Sequence, residues 1–505
     1  MPRALLRLAI VGLLSLALVD RAAATWSIVA LNRATGEIGV LVSTCISNFD
    51  AGQRLPVIRV GVAAGVTQGF WQSNAVNRRR IYRNSQRGAT GQQLLDLIEV
   101  LDGGFENRTI GIVAFAGPPA SHTGSNGGPY LGKRVGVIGD FEYAIQGGGL
   151  SGANVLDVCE AVFISTAGDL GQRMLAAMEA SRDAGGDGRC SCDTVQPTSC
   201  GSPPPSFTHA SYCAFMAVAR PGDTDAPCLG STGCVAGDYY LRFNYSGTPS
   251  SQEPMARLRA EYDAWRAGQV TRPDHVLSEV SSSVPRLQAD GQTSSRVELR
   301  LRDIDGTPLA MGGQSVTVTR ASGPNVAQAA NVVDHGDGTH SFDLVATLNE
   351  GIGTYHVTVD DGVRPVQLYP ALTVESAAPA ELHIGEAILS ASAGTPLPLV
   401  LNRGASDSGA SYRVLASLSG TQPGTALGGV HVALNRDRLF NFTAGWSGGD
   451  PFIGNAGVLD ADGRAAARLD LAAGVLVPFV GSTMAFSAVI GGQSATPVAS
   501  ILIRP

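Results

Sequence analysis

Thr25-Trp26-Ser27-Ile28-Val29-Ala30-Leu31-Asn32 is a strand-like run that begins directly behind a cleavage signal. Upstream, Arg3 and Arg7 flank a short basic start, and Leu8 to Val19 form an apolar run too short to span a bilayer. Asp20-Arg21 breaks that run, and Ala22-Ala23-Ala24 supplies the small-x-small pattern read by signal peptidase. Residues 1–24 therefore read as a cleaved export signal, with Thr25 as the first residue of the mature chain. No cysteine stands at the cut, which argues against lipid attachment. The closing Ser500 to Pro505 carries no hydrophobic anchor, so no membrane span is expected after cleavage.

An N-terminal threonine joins two functional groups on one residue. Its hydroxyl can attack a carbonyl, and its free α-amine, with a reference pKa of about 8, can take the hydroxyl proton. A threonine inside a chain lacks the second group, because its nitrogen is an amide. The position of the cut thus decides the chemistry.

Working outward, Arg33 to Gly36 read as the loop of a hairpin that sets Asn32 opposite Glu37. Counting back places Thr25 opposite Thr44, with Ser43 and Cys45 on either side, to within one or two residues. Hydroxyls of Ser43 or Thr44 can orient the amine or relay a proton; the alternative is a strand-end hydroxyl bonded to backbone. Thr67-Gln68 ends another apolar strand and can face the same pocket or lie satisfied in the core. Gln146-Gly147-Gly148 offers an amide and backbone N–H groups of the kind that stabilise an oxyanion. Asp187 and Arg189 read as an ion pair beside the site, or as a solvated loop. His122 is a candidate pocket residue, although a lone histidine is more often a packed or turn residue.

Other chemistries find little support. Gly147 to Gly152 is glycine-rich but lacks the lysine of a phosphate loop, and no G-x-S-x-G elbow is evident. The histidines from His275 onward are too scattered for a metal centre. A formal charge of −7, spread without blocks, argues against nucleic-acid or anionic-membrane partners. The triplet Arg78-Arg79-Arg80 reads as a solvated helix face. The eight cysteines, Cys45, Cys159, Cys190, Cys192, Cys200, Cys213, Cys228 and Cys234, all lie in the first half. In an exported chain their even number reads as disulfide staples rather than zinc ligands, with connectivity left open.

Three regions follow the signal. Residues 25–273 mix strands (Trp26 to Leu31, Ile38 to Ser43, Ile110 to Phe115, Tyr143 to Gln146) with helices. The helices fall around Leu94 to Ile98, Val155 to Ile164 and Leu170 to Met178, and a closing helix carries Met255, Leu258, Tyr262 and Trp265. That order predicts a layered α+β domain. Residues 275–376 show short alternating strands with Gly/Asp turns, such as Asp334-His335-Gly336-Asp337-Gly338-Thr339, which predict a β-sandwich. Residues 377–505 are again β-rich and almost free of helical periodicity.

The first region resembles the bacterial domain of unknown function numbered 1028, placed among N-terminal-nucleophile (Ntn) hydrolase-like proteins. Thr25 to Ala30, Thr35 to Val40 with Ser43, Gly61 to Gln68 and Arg108 to Val113 carry the resemblance. His122-Thr123-Gly124, Tyr143 to Gly147 and Gly185 to Arg189 complete it. The second region resembles filamin-like and invasin-like immunoglobulin modules through its Asp-Gly-Asp-Gly-Thr turn and Gly353-Thr354-Tyr355 strand. The third is similar to β modules attached to exported bacterial proteins.

The resemblance implies an αββα Ntn-hydrolase-like sandwich whose first strand starts at the nucleophile, followed by two β-sandwich domains. It also implies a secreted or periplasmic protein acting on an unidentified amide or peptide substrate without a cofactor, with Thr25 as nucleophile. Family members often carry Asn where this chain has Gly148, which removes one candidate oxyanion donor. The alternative reading is therefore a catalytically inactive exported binding or surface protein, with extracellular partners met through the β modules.

Overall fold

The computed structural model describes residues 25–505 apart from 127, 284–285, 290, 378–380, 386–387, 395 and 405–406. The export signal expected over residues 1–24 lies outside the described residues.

The first region runs β1 (Thr25–Asn32), β2 (Glu37–Thr44), α1 (Ala51–Arg54), β3 (Pro56–Arg59), β4 (Ala63–Gly69), α2 (Val76–Ser85) and α3 (Gly91–Leu101). It continues through β5 (Arg108–Ala114), β6 (Gly117–Thr123), β7 (Leu131–Ile138), β8 (Phe141–Gly148), α4 (Asn154–Ser165), α5 (Leu170–Asp183) and α6 (Gly188–Ser191). It closes with β9 (Cys213–Ala219), β10 (Leu241–Ser246) and α7 (Pro254–Ala267). The strands form a six-stranded sheet, β10-β9-β2-β1-β8-β7, and a four-stranded sheet, β3-β4-β5-β6.

Side-chain alternation in β1 explains how the elements stack. Trp26, Ile28 and Ala30 face one way, into a cluster with Val155 and Phe163 of α4, Met174 and Met178 of α5, and Leu258 and Tyr262 of α7. Val29 and Leu31 face the other way, toward Ala64 and Val66 of β4 and Val113 of β5. On the far side of the smaller sheet, Ile110 and Ile112 meet Ile81 of α2 and Leu94, Leu95 and Ile98 of α3. The strand therefore carries apolar residues on both faces because both faces are covered.

Two expectations fail here. Arg78 does not lie on a solvated helix face: it is 1% exposed, and its guanidinium donates to the backbone carbonyls of Gln53 and Gln72. Burial, followed by the nearby Arg54 charge, pulls its pKa down to about 10. Only six of the eight cysteines are paired, as Cys45–Cys190, Cys192–Cys200 and Cys228–Cys234. Cys159 and Cys213 are free and buried. They lie in the clusters on opposite faces of the six-stranded sheet, so the sheet itself separates them.

Beyond α7 the chain is β-rich. Strands Glu279–Ser282, Ser294–Arg300, Thr339–Ala346 and Ala327–Asp334 form one sheet. Arg286–Gln288, Leu372–Ala377, Gly351–Asp360 and Ser315–Ser322, with Pro365–Gln367 alongside, form a second. Val297, Leu299, Phe342, Tyr355 and Val357 fill the space between them. The last segment holds a four-stranded and a six-stranded sheet around Leu399, Val414, Phe452 and Phe486. It also contains a helix, Arg438–Gly445, where none was expected. Asp437 caps it by accepting from Phe440 N at 2.7 Å, and Phe440 anchors it against Leu415 and Val432. At eight residues it is too short to display a period. Among the described residues, no helix is long and apolar enough to cross a membrane.

Candidate active site

The β1–β2 hairpin places Thr25 directly opposite Thr44, as counting back from Asn32 and Glu37 predicts. On its other side β1 pairs with β8, so that Thr25 meets Gly148, Trp26 meets Gly147 and Ser27 meets Gln146. Thr25 and Ser27 share the alternation of Val29 and Leu31 and therefore face the smaller sheet. The Thr25 hydroxyl donates to Thr44 Oγ1 at 3.0 Å, and both residues are buried.

Behind this pair a chain of buried polar groups links the two sheets. Gln68 Nε2 donates to the Thr25 carbonyl at 2.9 Å and reaches the Gln146 carbonyl at 3.3 Å. Ser27 Oγ donates to Gln68 Oε1 at 2.8 Å and accepts from Gln146 Nε2 at 2.7 Å. Gln146 Oε1 in turn accepts from Ser121 Oγ at 3.3 Å. Ser27 and Gln146 come from the larger sheet, and Gln68 and Ser121 from the smaller. Gly111 on β5 makes room for the Gln146 amide, because a Cβ there would stand 2.0 Å from Oε1.

Asp187 supports the end of β2. It is fully buried, and its Oδ2 accepts from Cys45 N at 2.9 Å and from Arg189 Nη2 at 2.7 Å. Its Oδ1 accepts from Arg189 N and Nε at 3.1 and 3.0 Å, which caps the short α6. The Cys45–Cys190 disulfide ties the same two segments covalently. The carboxylate is thus a strut under the residue that follows Thr44.

Four predicted residues are placed elsewhere. Ser43 lies opposite Trp26, on the helix-facing side, and its hydroxyl goes to Ser211 Oγ at 2.7 Å. Thr67 lies opposite Ile110 and shares its direction toward α2 and α3, away from Thr25. His122 also lies opposite Ile110, stacked on Phe105 with ring centroids 3.7 Å apart. Burial lowers its pKa against the opposing carbonyl of Phe105, which suits a packed ring. Gly147 sits within β8, between Trp26 of β1 and Gly132 of β7. Its backbone N–H lies in the plane of the sheet, not in the space before Thr25. For the three side chains a period of two sets the direction.

Two members of the polar chain, Ser27 and Ser121, were missed. Ser27 had a readable signal, since it stands two residues from Thr25 on the same strand. Ser121 had none, because its face depends on how the second sheet is turned. Among the described residues, no group of three or more His, Cys, Asp or Glu side chains is arranged to hold a metal.

Residues 25–194 match the sequence model of a family described as a family of unknown function (DUF1028), and residues 274–371 match that of invasin, domain 3. The chain thus joins a stretch similar to the first family to a stretch similar to an invasin module. Among solved structures, a Silicibacter pomeroyi protein of the same family is 19% identical, covering 48% of this chain and 85% of its own at a TM-score of 0.36. The Yersinia pseudotuberculosis adhesin InvE is 15% identical, covering 45% of this chain and 58% of its own at 0.19. The Escherichia coli adhesin FdeC is 10% identical, covering 95% and 97% at 0.20. No curated protein matches the chain.

Proposed function

We propose that export processing cuts before Thr25 and that the mature chain is an N-terminal-threonine amidohydrolase or peptidase. In this reading the helical and sheet layers of residues 25–273 form an αββα Ntn sandwich, followed by β-sandwich domains at 275–376 and 377–505. The protein is secreted or periplasmic, and the β modules meet extracellular or cell-surface partners. The observation that carries the reading is the placement of Thr25: the family match begins at this residue, whose hydroxyl rests on Thr44 above a buried polar chain.

The reaction follows from the chemistry of one residue. In the uncut chain the Thr25 nitrogen is an amide and cannot act as a base. After the cut, the α-amine takes the Oγ1 proton as Oγ1 bonds to the substrate carbonyl carbon. The proton passes to the departing amine as the C–N bond breaks, leaving an ester on Thr25. Water then cleaves that ester and restores the hydroxyl. Thr44 positions Oγ1, and Gln68 fixes the Thr25 carbonyl and hence the direction of the strand end. No resident cofactor enters the scheme.

The test has two parts. Mass spectrometry of the exported protein gives the mature N-terminus, and a β-lactone probe reports an activated hydroxyl. Labelling at Thr25 that disappears in Thr25→Ala is expected; a cut elsewhere, or equal labelling of Thr25→Ala, would sink the proposal. A second reading, a non-catalytic surface-binding protein built on the same scaffold, is favoured by Gly148 and by the invasin-like module. It predicts a correctly cut chain that stays inert to the probe.

A further inference from the structure

The loop that joins strand Arg464–Asp470 to strand Thr483–Ile490 crosses from one sheet of the last segment to the other. It reads Leu471-Ala472-Ala473-Gly474-Val475-Leu476-Val477-Pro478-Phe479-Val480-Gly481, and none of these side chains carries a polar atom. The uncharged stretch is longer still: from Leu471 to Ile503 there is no Asp, Glu, Lys, Arg or His. Of the four valines, leucines and phenylalanine at the loop's centre, only Leu476 turns inward, packed in the cluster that holds Leu389 and Ile503. Val475, Val477, Phe479 and Val480 are 53%, 55%, 38% and 42% exposed. Contiguous apolar surface of this kind marks an interaction site.

The loop is pinned in this display. Gly474 N donates to the Ala391 carbonyl at 3.1 Å and Gly481 N to the Ile503 carbonyl at 2.9 Å, which fixes both ends to the body of the segment. Between them the chain makes a 3-10 turn over Val477–Phe479. Val475, Val477, Phe479 and Val480 donate their N–H groups to the carbonyls of Ala472, Gly474, Leu476 and Val477, at 3.3, 3.2, 2.9 and 3.4 Å. Pro478 has no N–H to satisfy. Each exposed apolar side chain thus stands on a backbone whose donor is already used.

Two features decide which partner fits. A protein partner is met through polar groups as well as apolar ones, about one hydrogen bond per 100–200 Å² of interface, with Tyr, Trp and Arg as frequent anchors. The loop offers no side-chain donor or acceptor and none of those anchors. A bilayer makes the opposite demand. It takes apolar side chains without partners but penalises every backbone N–H that enters unpaired. The loop meets that demand at all four exposed residues. The formal charge of −7 gives no attraction to anionic headgroups, so the apolar loop must supply the affinity.

We propose that residues 471–481 form a membrane-inserting loop that seats the last segment on a lipid surface. Val475, Val477, Phe479 and Val480 enter the boundary between headgroups and acyl chains. This is peripheral attachment by one loop, not a span, and it does not depend on the activity proposed at Thr25.

The test is co-sedimentation of the full mature chain with sucrose-loaded phosphatidylcholine vesicles. Saturable binding is expected, unchanged by salt and not raised when phosphatidylglycerol replaces part of the neutral lipid. Val477→Asp with Phe479→Asp, at exposed positions whose N–H bonds are kept, should weaken binding by a factor of about ten or more, because carboxylates replace apolar groups at the boundary. Phe479→Trp should bind as the wild type does, and the emission it adds should shift to the blue and be quenched by lipids brominated on the acyl chain. No vesicle binding by the wild type, or undiminished binding of the folded double variant, would overturn the proposal. So would an added indole that stays open to iodide when vesicles are present. A dimer that the double variant abolishes, with the wild type ignoring vesicles, would assign the loop to a second copy and overturn it too.

Discussion

Gly111→Ala offers the sharpest test of the buried chain behind Thr25. The new methyl carbon would stand 2.0 Å from Gln146 Oε1 and 2.4 Å from its Cδ, so the amide must move. It has no neutral place to go, because Nε2 is bonded to Ser27 at 2.7 Å and Oε1 to Ser121 at 3.3 Å, and all three residues are buried. Overpacking of this kind costs about 1–3 kcal/mol, and breaking the bond to Ser27 adds about 1 kcal/mol or more. The expected loss is about 2–4 kcal/mol. Gln146→Ala should by itself cost about 2–4 kcal/mol, through a void and an unserved Ser27 hydroxyl. In that background, however, the methyl at 111 enters empty space, and its penalty should fall below about 1 kcal/mol. The double-mutant cycle then gives a coupling of about 1–3 kcal/mol. Urea unfolding of the mature chain, followed by tryptophan fluorescence and by hydrogen exchange in β1 and β8, measures all four corners. Additivity to within about 0.5 kcal/mol would refute the contact and the linkage built on it.

Other outcomes follow from the same geometry. Gln68→Leu should slow β-lactone labelling of Thr25 by releasing its carbonyl, while Thr67→Val and His122→Phe, which face α2 and α3, should leave the labelling rate unchanged. Removing the Cys45–Cys190 bridge by Cys45→Ser with Cys190→Ser opens a 145-residue separation. Chain-entropy arguments put the loss at about 5 kcal/mol, readable as a lower urea midpoint for the first region. Arg220→Leu should cost about 3–5 kcal/mol at pH 7.5, because Glu37 and Asp274 stay buried without their partner. In the wild type, burial pushes the Asp274 carboxyl up, but its His275 contact and the Arg220 charge outweigh it and hold the pKa well below the usual range. Asp274 therefore adds stability above the ordinary carboxylate pKa of about 4, lost only as pH falls toward its lower folded value. The penalty of the variant should accordingly shrink between pH 7.5 and 4, where its unpaired carboxylates can take protons. A constant difference across that range would count against the ion triad.

The hairpin register was legible because a four-residue loop between two eight-residue strands leaves little freedom. Thr25 opposite Thr44 follows from it, and so does the direction of Ser43, which parity sends to the other face. The directions of Thr67 and His122 were not legible. Each has a polar neighbour, Gln68 or Ser121, one residue away, and either parity satisfies the apolar pattern when both faces of the smaller sheet are covered. Only the way that sheet lies against the larger one selects between them. The disulfide set was hidden for a similar reason: Cys159 and Cys213 stay unpaired because they occupy opposite sides of the six-stranded sheet. Arg78 eluded composition because its partners are backbone carbonyls, which leave no mark in the sequence.

The inward face of β1 bears on the choice between catalyst and scaffold. Along that face the residues run Thr25, Ser27, Val29, Leu31: polar at the strand's beginning, apolar after it. The apolar half meets Ala64, Val66 and Val113, and the polar half meets Gln68 and, through Gln146, Ser121. A pure scaffold has no need for this switch. An apolar core of the same shape is at least as stable, whereas a buried polar chain is costly unless each member finds its partner. Ser27, Gln68, Gln146 and Ser121 do find partners, and the chain ends on the carbonyl of Thr25 itself. What such a chain provides is a single fixed position for that residue, since the amide of Gln68 leaves the strand end few alternatives. Fixed placement has value where a hydroxyl and a newly freed amine must meet one substrate carbonyl in one geometry. Gly148 weakens the case for an oxyanion donor on β8, but it does not account for a polar chain aimed at Thr25, the first residue left by the proposed cut. The proposed catalyst accounts for both ends of β1; the scaffold accounts only for Val29 and Leu31.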